Sequence, residues 1–142
     1  MADKQITNPG LAFGYTDLTT KLYQQIAPFK AQSAITGPAV VAVNTTGNVA
    51  TIATDGVAAT TVGICINSPA AGEIAQVVIA GIAENVPCAG TVSAGQILIR
   101  SVTTAGRVNS SATAALGEAC GIAIRDGSGA NGTVDVWVKF FG

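Results

Sequence analysis

The chain resembles itself. Gly47-Asn48-Val49 recurs as Gly106-Arg107-Val108, 59 residues on, and Gly63-Ile64-Cys65-Ile66 recurs as Gly121-Ile122-Ala123-Ile124 at a spacing of 58. Gly72-Glu73-Ile74-Ala75-Gln76-Val77-Val78 recurs as Gly132-Thr133-Val134-Asp135-Val136-Trp137-Val138 at 60. The order of the landmarks is kept and the spacing drifts by only two residues, so one copy's fold constrains the other's. Each copy reads as a strand, a Gly turn, a second strand, a Thr/Ala-rich crossing, a Gly-Ile-x-Ile strand, a loop and a final alternating strand. We read this as a tandem duplication of a roughly 59-residue unit, with internal repeats at about 37–94 and 95–142 inside a β domain spanning 36–142.

The end of the chain states the period most clearly. Val134, Val136, Val138 and Phe140 alternate with Thr133, Asp135, Trp137 and Lys139, the two-residue rhythm of a strand with one face buried. Thr45-Thr46-Gly47-Asn48, Ala105-Gly106 and the run from Asp126 to Gly132 supply residues that tolerate turn conformations between strands. The predicted strands are about 39–44, 49–53, 62–66, 74–82, 97–103, 106–109, 119–125 and 133–140. Many short strands separated by Gly turns predict an all-β fold, either a β-sandwich or a small β-barrel.

Residues 1–35 stand outside the repeat and hold four of the chain's seven aromatics, Phe13, Tyr15, Tyr23 and Phe29. They read as an N-terminal extended arm. Within it Asp17 is placed to cap a short helix carrying Leu18, Leu22, Tyr23 and Ile26 and ended by Pro28, although Thr19 and Thr20 oppose helix formation. Aromatics on a Gly/Pro-bounded arm are suited to a partner's pocket, and equally to folding back over the arm's own domain. On the final strand Trp137 falls opposite Val136 and Val138. Either both faces of that strand are covered, or one large aromatic sits at a subunit contact.

Composition narrows the function classes. Charged residues make up 11% of the chain, against about 25% in an ordinary soluble domain. A surface this poor in ions loses little hydration when another protein covers it, which favours an assembly subunit over a lone enzyme. Seven basic and eight acidic residues are scattered without a run of either sign, so no phosphate-binding stripe forms and nucleic acid is not an expected partner. Apolar runs such as Ala39-Val40-Val41-Ala42-Val43 are strand-length, far short of the roughly 20 residues that cross a bilayer. The first residues carry no apolar signal core, which predicts synthesis in a cytoplasm.

Chemistry is sparse. The chain has no His, so the commonest general base and the His-dependent triads are excluded. Of the carboxylates in the repeat region, Asp55, Glu73, Glu84, Glu118, Asp126 and Asp135, five fall beside predicted turns or strand ends, where solvated acids are expected. Cys65, Cys88 and Cys120 form no CxxC pair and read as small buried fillers. Gly127-Ser128-Gly129-Ala130-Asn131-Gly132 matches G-x-G-x-x-G, but a strand follows it where phosphate binding needs a helix N-terminus. The N-x-[ST] triplets at Asn44, Asn109 and Asn131 are expected by chance in a Thr-rich chain. The expectation is a non-enzyme with no catalytic, cofactor-binding or metal-binding residues.

From about Gly37 to Lys139 the sequence resembles the decoration (cement) proteins of tailed-bacteriophage heads. The resemblance lies in Gly37-Pro38-Ala39-Val40-Val41, the Gly63-Ile64 and Gly121-Ile122 pairs, the link Val92-Ser93-Ala94-Gly95-Gln96-Ile97-Leu98, and Val134-Asp135-Val136-Trp137-Val138. It implies a β-rich body, often trimeric, bound to the major capsid protein on the outer surface of the virion, where it stabilises the head against internal DNA pressure. It also implies an arm that clamps neighbouring capsid subunits. Residues 1–35 carry no motif that transfers from the family, so the interface residues are chosen by composition: Ile6, Pro9, Leu11, Phe13, Tyr15, Leu22, Tyr23 and Phe29 on the arm, and Trp137 on the body. The same composition suits other β-structured subunits of a tail, a fibre or a bacterial surface array. A carbohydrate-binding module is the remaining class, but sugar platforms usually need exposed Trp or Tyr and the repeat region offers only Trp137.

Overall fold

A computed structural model describes residues 24–44, 49–52, 61–114 and 119–139. Among these residues there is no helix, and nine strands form one sheet. They are β1 (Gln24–Ala31), β2 (Ala39–Val43), β3 (Val49–Ile52), β4 (Thr61–Cys65), β5 (Ile74–Pro87), β6 (Ile97–Arg100), β7 (Val108–Ser111), β8 (Ala119–Ala123) and β9 (Thr133–Val138). The order across the sheet is β1-β3-β2-β4-β5-β9-β8-β6-β7, with β1 also pairing β5. The fold is all-β, one curled, largely antiparallel sheet of half-barrel form.

Residues Ile74 to Gly81 of β5 pair with β1, and residues Gly81 to Pro87 pair with β9. One 14-residue strand therefore closes the first half of the sheet and opens the second. The two halves share their pairing pattern in detail. Val41 faces Gly63 and the register slips before Ala42 faces Thr61, just as Leu98 faces Gly121 and the register slips before Ile99 faces Ala119. Cys65 pairs with Val77 as Ala123 pairs with Val136. The parallel pairing of Lys30 with Val49 has its counterpart in a parallel bridge from Cys88 to Val108. The sequence landmarks put the join between the repeats near residue 94, and in the sheet β5 changes its partner at Gly81. The end of β5 stands to the second half as β1 stands to the first.

The first strand also departs from the sequence reading. Of the segment set apart as an arm, Gln24–Ala31 is built into the sheet as β1, including Ile26 and Pro28, which the helix reading had placed on a helix and at its end. Residues 1–23, with the rest of that candidate helix, lie outside the described residues. Strand geometry wins here because Ala27, Phe29 and Ala31 alternate with Ile26, Pro28 and Lys30, and the first set turns toward the interior. Pro28 is tolerated because β3 reaches only Lys30 and Ala31, leaving β1 with a strand on one edge at Pro28.

Two glycines are fixed by close approach between strands. A Cβ on Gly63 would strike the Val78 carbonyl oxygen and lie 2.7 Å from Val77 Cγ1. A Cβ on Gly121 would lie 2.5 Å from both the Trp137 carbonyl oxygen and Val136 Cγ1. The repeated Gly-Ile pair thus marks the place where β4 crowds β5 and β8 crowds β9.

The core divides in two. One cluster joins Ala31, Ile35, Ala39, Val41, Cys65, Ala75 and Val77 on the inner face of the first half, with Phe29, Val62 and Ile79 partly buried at its margin. The larger cluster fills the second half with Leu98, Val108, Cys120, Val134, Val136 and Val138, and it also takes in Val40, Ile64 and Val78 from the outer face of the first half. The halves are therefore packed one behind the other, the back of the first against the interior of the second. Among the described residues no helix is long and apolar enough to cross a membrane.

Candidate functional site

The alternation that buries Val134, Val136 and Val138 turns Trp137 to the other side of β9, where it is 47% exposed. The register places it in a row that crosses four neighbouring strands: Ile82 on β5, Trp137 on β9, Ile122 on β8 and Ile97 on β6. Ile97 is 37% exposed, and Ile82 and Ile122 are half-buried. Ile124, 40% exposed and just past the end of β8, extends the row, and with Gly81, Ile82 and Trp137 it lines a groove of about 270 Å³. At one side Lys139 Nζ sits 4.8 Å from the centre of the Trp137 ring, close enough for cation–π attraction. An apolar row of this kind on an outer sheet face is the surface a protein partner would cover.

Seven of the nine residues singled out for the interface, Ile6, Pro9, Leu11, Phe13, Tyr15, Leu22 and Tyr23, lie outside the described residues. Of the other two, Trp137 stands on the outer face of the second half and Phe29 packs against the inner cluster of the first, so the structure does not bring them together. Sequence reasoning missed Ile82, Ile97, Ile122 and Ile124. The signal was present in Gly121-Ile122-Ala123-Ile124, whose isoleucines alternate with the small residues of the buried face.

The polar features have local structural roles. Asp135 is 8% exposed, held by an ion pair with Arg125 at 2.6 Å and by a hydrogen bond of 2.9 Å from the Asn85 backbone N–H. The loop over Gly127–Gly132 closes on itself, with Ser128 N donating to the Thr133 carbonyl and Thr133 N to Ser128 Oγ, both at 2.9 Å, before the chain enters β9. The link at Val92–Leu98 is tied to the same region, since Ala94 N donates to Asp126 Oδ1 at 2.8 Å and Gly95 N to the Ala123 carbonyl at 2.7 Å. Among the described residues, no group of three or more His, Cys, Asp or Glu gathers in a metal-binding arrangement.

The three cysteines are free and buried. Burial pushes the Cys120 thiol up to about 12, and its S–H donates to the Leu98 carbonyl at 3.4 Å. Burial raises Cys65 as well, only partly offset by hydrogen bonds around Asn67 and Gln76. Thiolate is the reactive form, so iodoacetamide at pH 8 is expected to leave Cys120 unmodified in the folded chain and to label it fully in urea. Peptide mass spectrometry reads the result, and rapid labelling of Cys120 without denaturant would contradict its burial. Because the folded thiol titrates above the unfolded one, its contribution to stability is complete below pH 9. That contribution is lost as pH rises from about 9 toward 12, at about 1.4 kcal/mol per pH unit.

The chain matches no known protein-family model and no curated protein.

Proposed function

We propose that this chain is a structural subunit that works by packing against other proteins, and that its place is the outer surface of a tailed-phage head, as a decoration protein. The observation that carries the packing role is the outer row Ile82–Trp137–Ile122–Ile97, an apolar face on a chain with few charges to desolvate. Covering such a face yields roughly 25 cal/mol for each Å² of apolar area removed from water. The head location rests on the sequence resemblance between Gly37 and Lys139. In this reading the chain is made in the host cytoplasm, assembles as a homo-oligomer, with a trimer favoured, and binds the major capsid protein of the virion. Many modest contacts around the shell then act together to tie capsomers against the pressure of packaged DNA, a task that needs neither turnover nor a cofactor.

Quantitative mass spectrometry of purified virions tests the location. A copy number near that of the major capsid protein, or a fixed large fraction of it, is the expected result. A handful of copies per particle would assign the chain to a tail, fibre or vertex, and absence from the virion would end the reading.

A further inference from the structure

The matched pairing of the two halves gives the exposed row a counterpart inside the same molecule. Ile64 pairs with Val40 and Val78 in the first half as Ile122 pairs with Ile97 and Trp137 in the second. Val40, Ile64 and Val78 are fully buried because they pack into the interior of the second half, beside Cys120, Val136 and Val138. Their counterparts Ile97, Ile122 and Trp137 lie on the outer face, Ile97 and Trp137 exposed and Ile122 half-buried, with Lys139 beside the Trp137 ring.

The other side of that contact is also present twice. Cys120 and Val138, which help receive the buried row, correspond by register to Val62 and Ile79 in the first half. Cys120 and Val138 are almost completely buried, whereas Val62, Ile79 and Phe29, at the margin of the first half's cluster, are only partly so. Among the described residues there is thus one back-to-interior contact, one back left open and one incompletely covered interior.

We infer that a second copy of this chain supplies the missing partner: the row Ile82–Trp137–Ile122–Ile97 of one copy packs against the first half of the next, at Val62, Ile79 and Phe29. This repeats between molecules the contact already made within each. Such an interface is head-to-tail. The two surfaces differ, so each copy both gives and receives, and the contacts close into a ring or run on as a chain according to the rotation at each step. The inference deepens the assembly reading above, but it concerns the isolated chain and holds or fails whatever particle the protein decorates.

The test uses the full chain and its only tryptophan, Trp137. Sedimentation across a concentration series should show self-association, with Trp137 emission moving to the blue and acrylamide quenching falling several-fold over the same range. Trp137→Glu should abolish association, and so should Val62→Glu on the opposite surface, each with a circular dichroism spectrum like that of the parent. Mixing the two variants should restore a dimer and nothing larger, because each retains the surface that the other lacks. A chain that stays monomeric at all concentrations overturns the inference, as does an oligomer in which Trp137 remains fully quenchable. An oligomer lost on Trp137→Glu but indifferent to a folded Val62→Glu would reveal a symmetric back-to-back pair instead. Should Val62→Glu fail to fold, quenching on the parent chain still decides. Virion stoichiometry is measured separately, so failure of the head assignment and failure of this interface are distinguishable.

Discussion

Gly121→Ala is expected to lower the stability of the chain by at least about 3 kcal/mol, at the top of the range for overpacking a closed site. The added methyl would meet the Trp137 carbonyl oxygen at 2.5 Å, and that atom belongs to the backbone of β9 and cannot swing away as a side chain would. Relief requires β8 and β9 to separate at the register Gly121–Val138, beside the buried Val136 and Val138. For a chain of this size the loss corresponds to a drop in Tm of roughly 10 °C. Gly63→Ala should be at least as damaging, because the same methyl would strike the Val78 carbonyl oxygen. Gly127→Ala is the control: its nearest neighbour would stand at 3.4 Å, an ordinary contact, and the change should cost less than about 1 kcal/mol. Thermal melts followed by circular dichroism separate the cases, and a Gly121→Ala chain that melts alongside Gly127→Ala would refute the close approach.

Asp135 carries the second large effect. Its carboxylate accepts from the Asn85 backbone N–H and pairs with Arg125, at the point where the register between β9 and β5 slips. Asn85 is held there with a φ of 55°, a left-handed conformation that Asn tolerates better than most residues. Asp135→Ala strips the acceptor from a constrained N–H and should cost about 2–3 kcal/mol in urea denaturation. Asp135→Asn keeps an acceptor oxygen and should cost roughly half as much. Arg125→Ala should stay within about 1 kcal/mol, since the guanidinium is 69% exposed and its pair is screened by water. If Arg125→Ala proved as damaging as Asp135→Ala, the ion pair rather than the hydrogen bond to Asn85 would be the principal tie.

How far the sequence could be read depended on whether one partner or several set each residue's environment. Val134, Val136 and Val138 announce β9 because that strand keeps one buried face along its length. The Gly-Ile pairs were conspicuous because a glycine required by a neighbouring backbone cannot vary, and each sits at an equivalent crowding point. β5 was harder to read. The sequence ends it near residue 82, while the strand runs to Pro87, because its neighbours change at Gly81 and its burial pattern changes with them. β6 stops at Arg100 instead of running to 103, since the Ser101 hydroxyl accepts from Thr103 N and Thr104 N and turns the chain. β1 escaped notice because Asp17 and Pro28 read as the cap and the end of a short helix, and only the sheet beside it makes a strand of Gln24–Ala31. The outer row was hidden for a related reason. Isoleucine at 122, 124, 97 and 82 looks like core in a linear reading, and only the register shows that these residues lie on an outer face, whereas Ile64 and Val40, on the same face of the first half, are covered by the second half.

The sharing of β5 between the halves bears on how the molecule carries load. Two units joined by a linker would pivot at the linker, and a tug on one would reach the other only after the slack was taken up. Here the continuous backbone from Ile74 to Pro87 is the beam of both, hydrogen-bonded to β1 and β4 along its first stretch and to β9 along its second. Tension applied to one half passes along covalent bonds into the ladder of the other, which makes the pair a stiff strut.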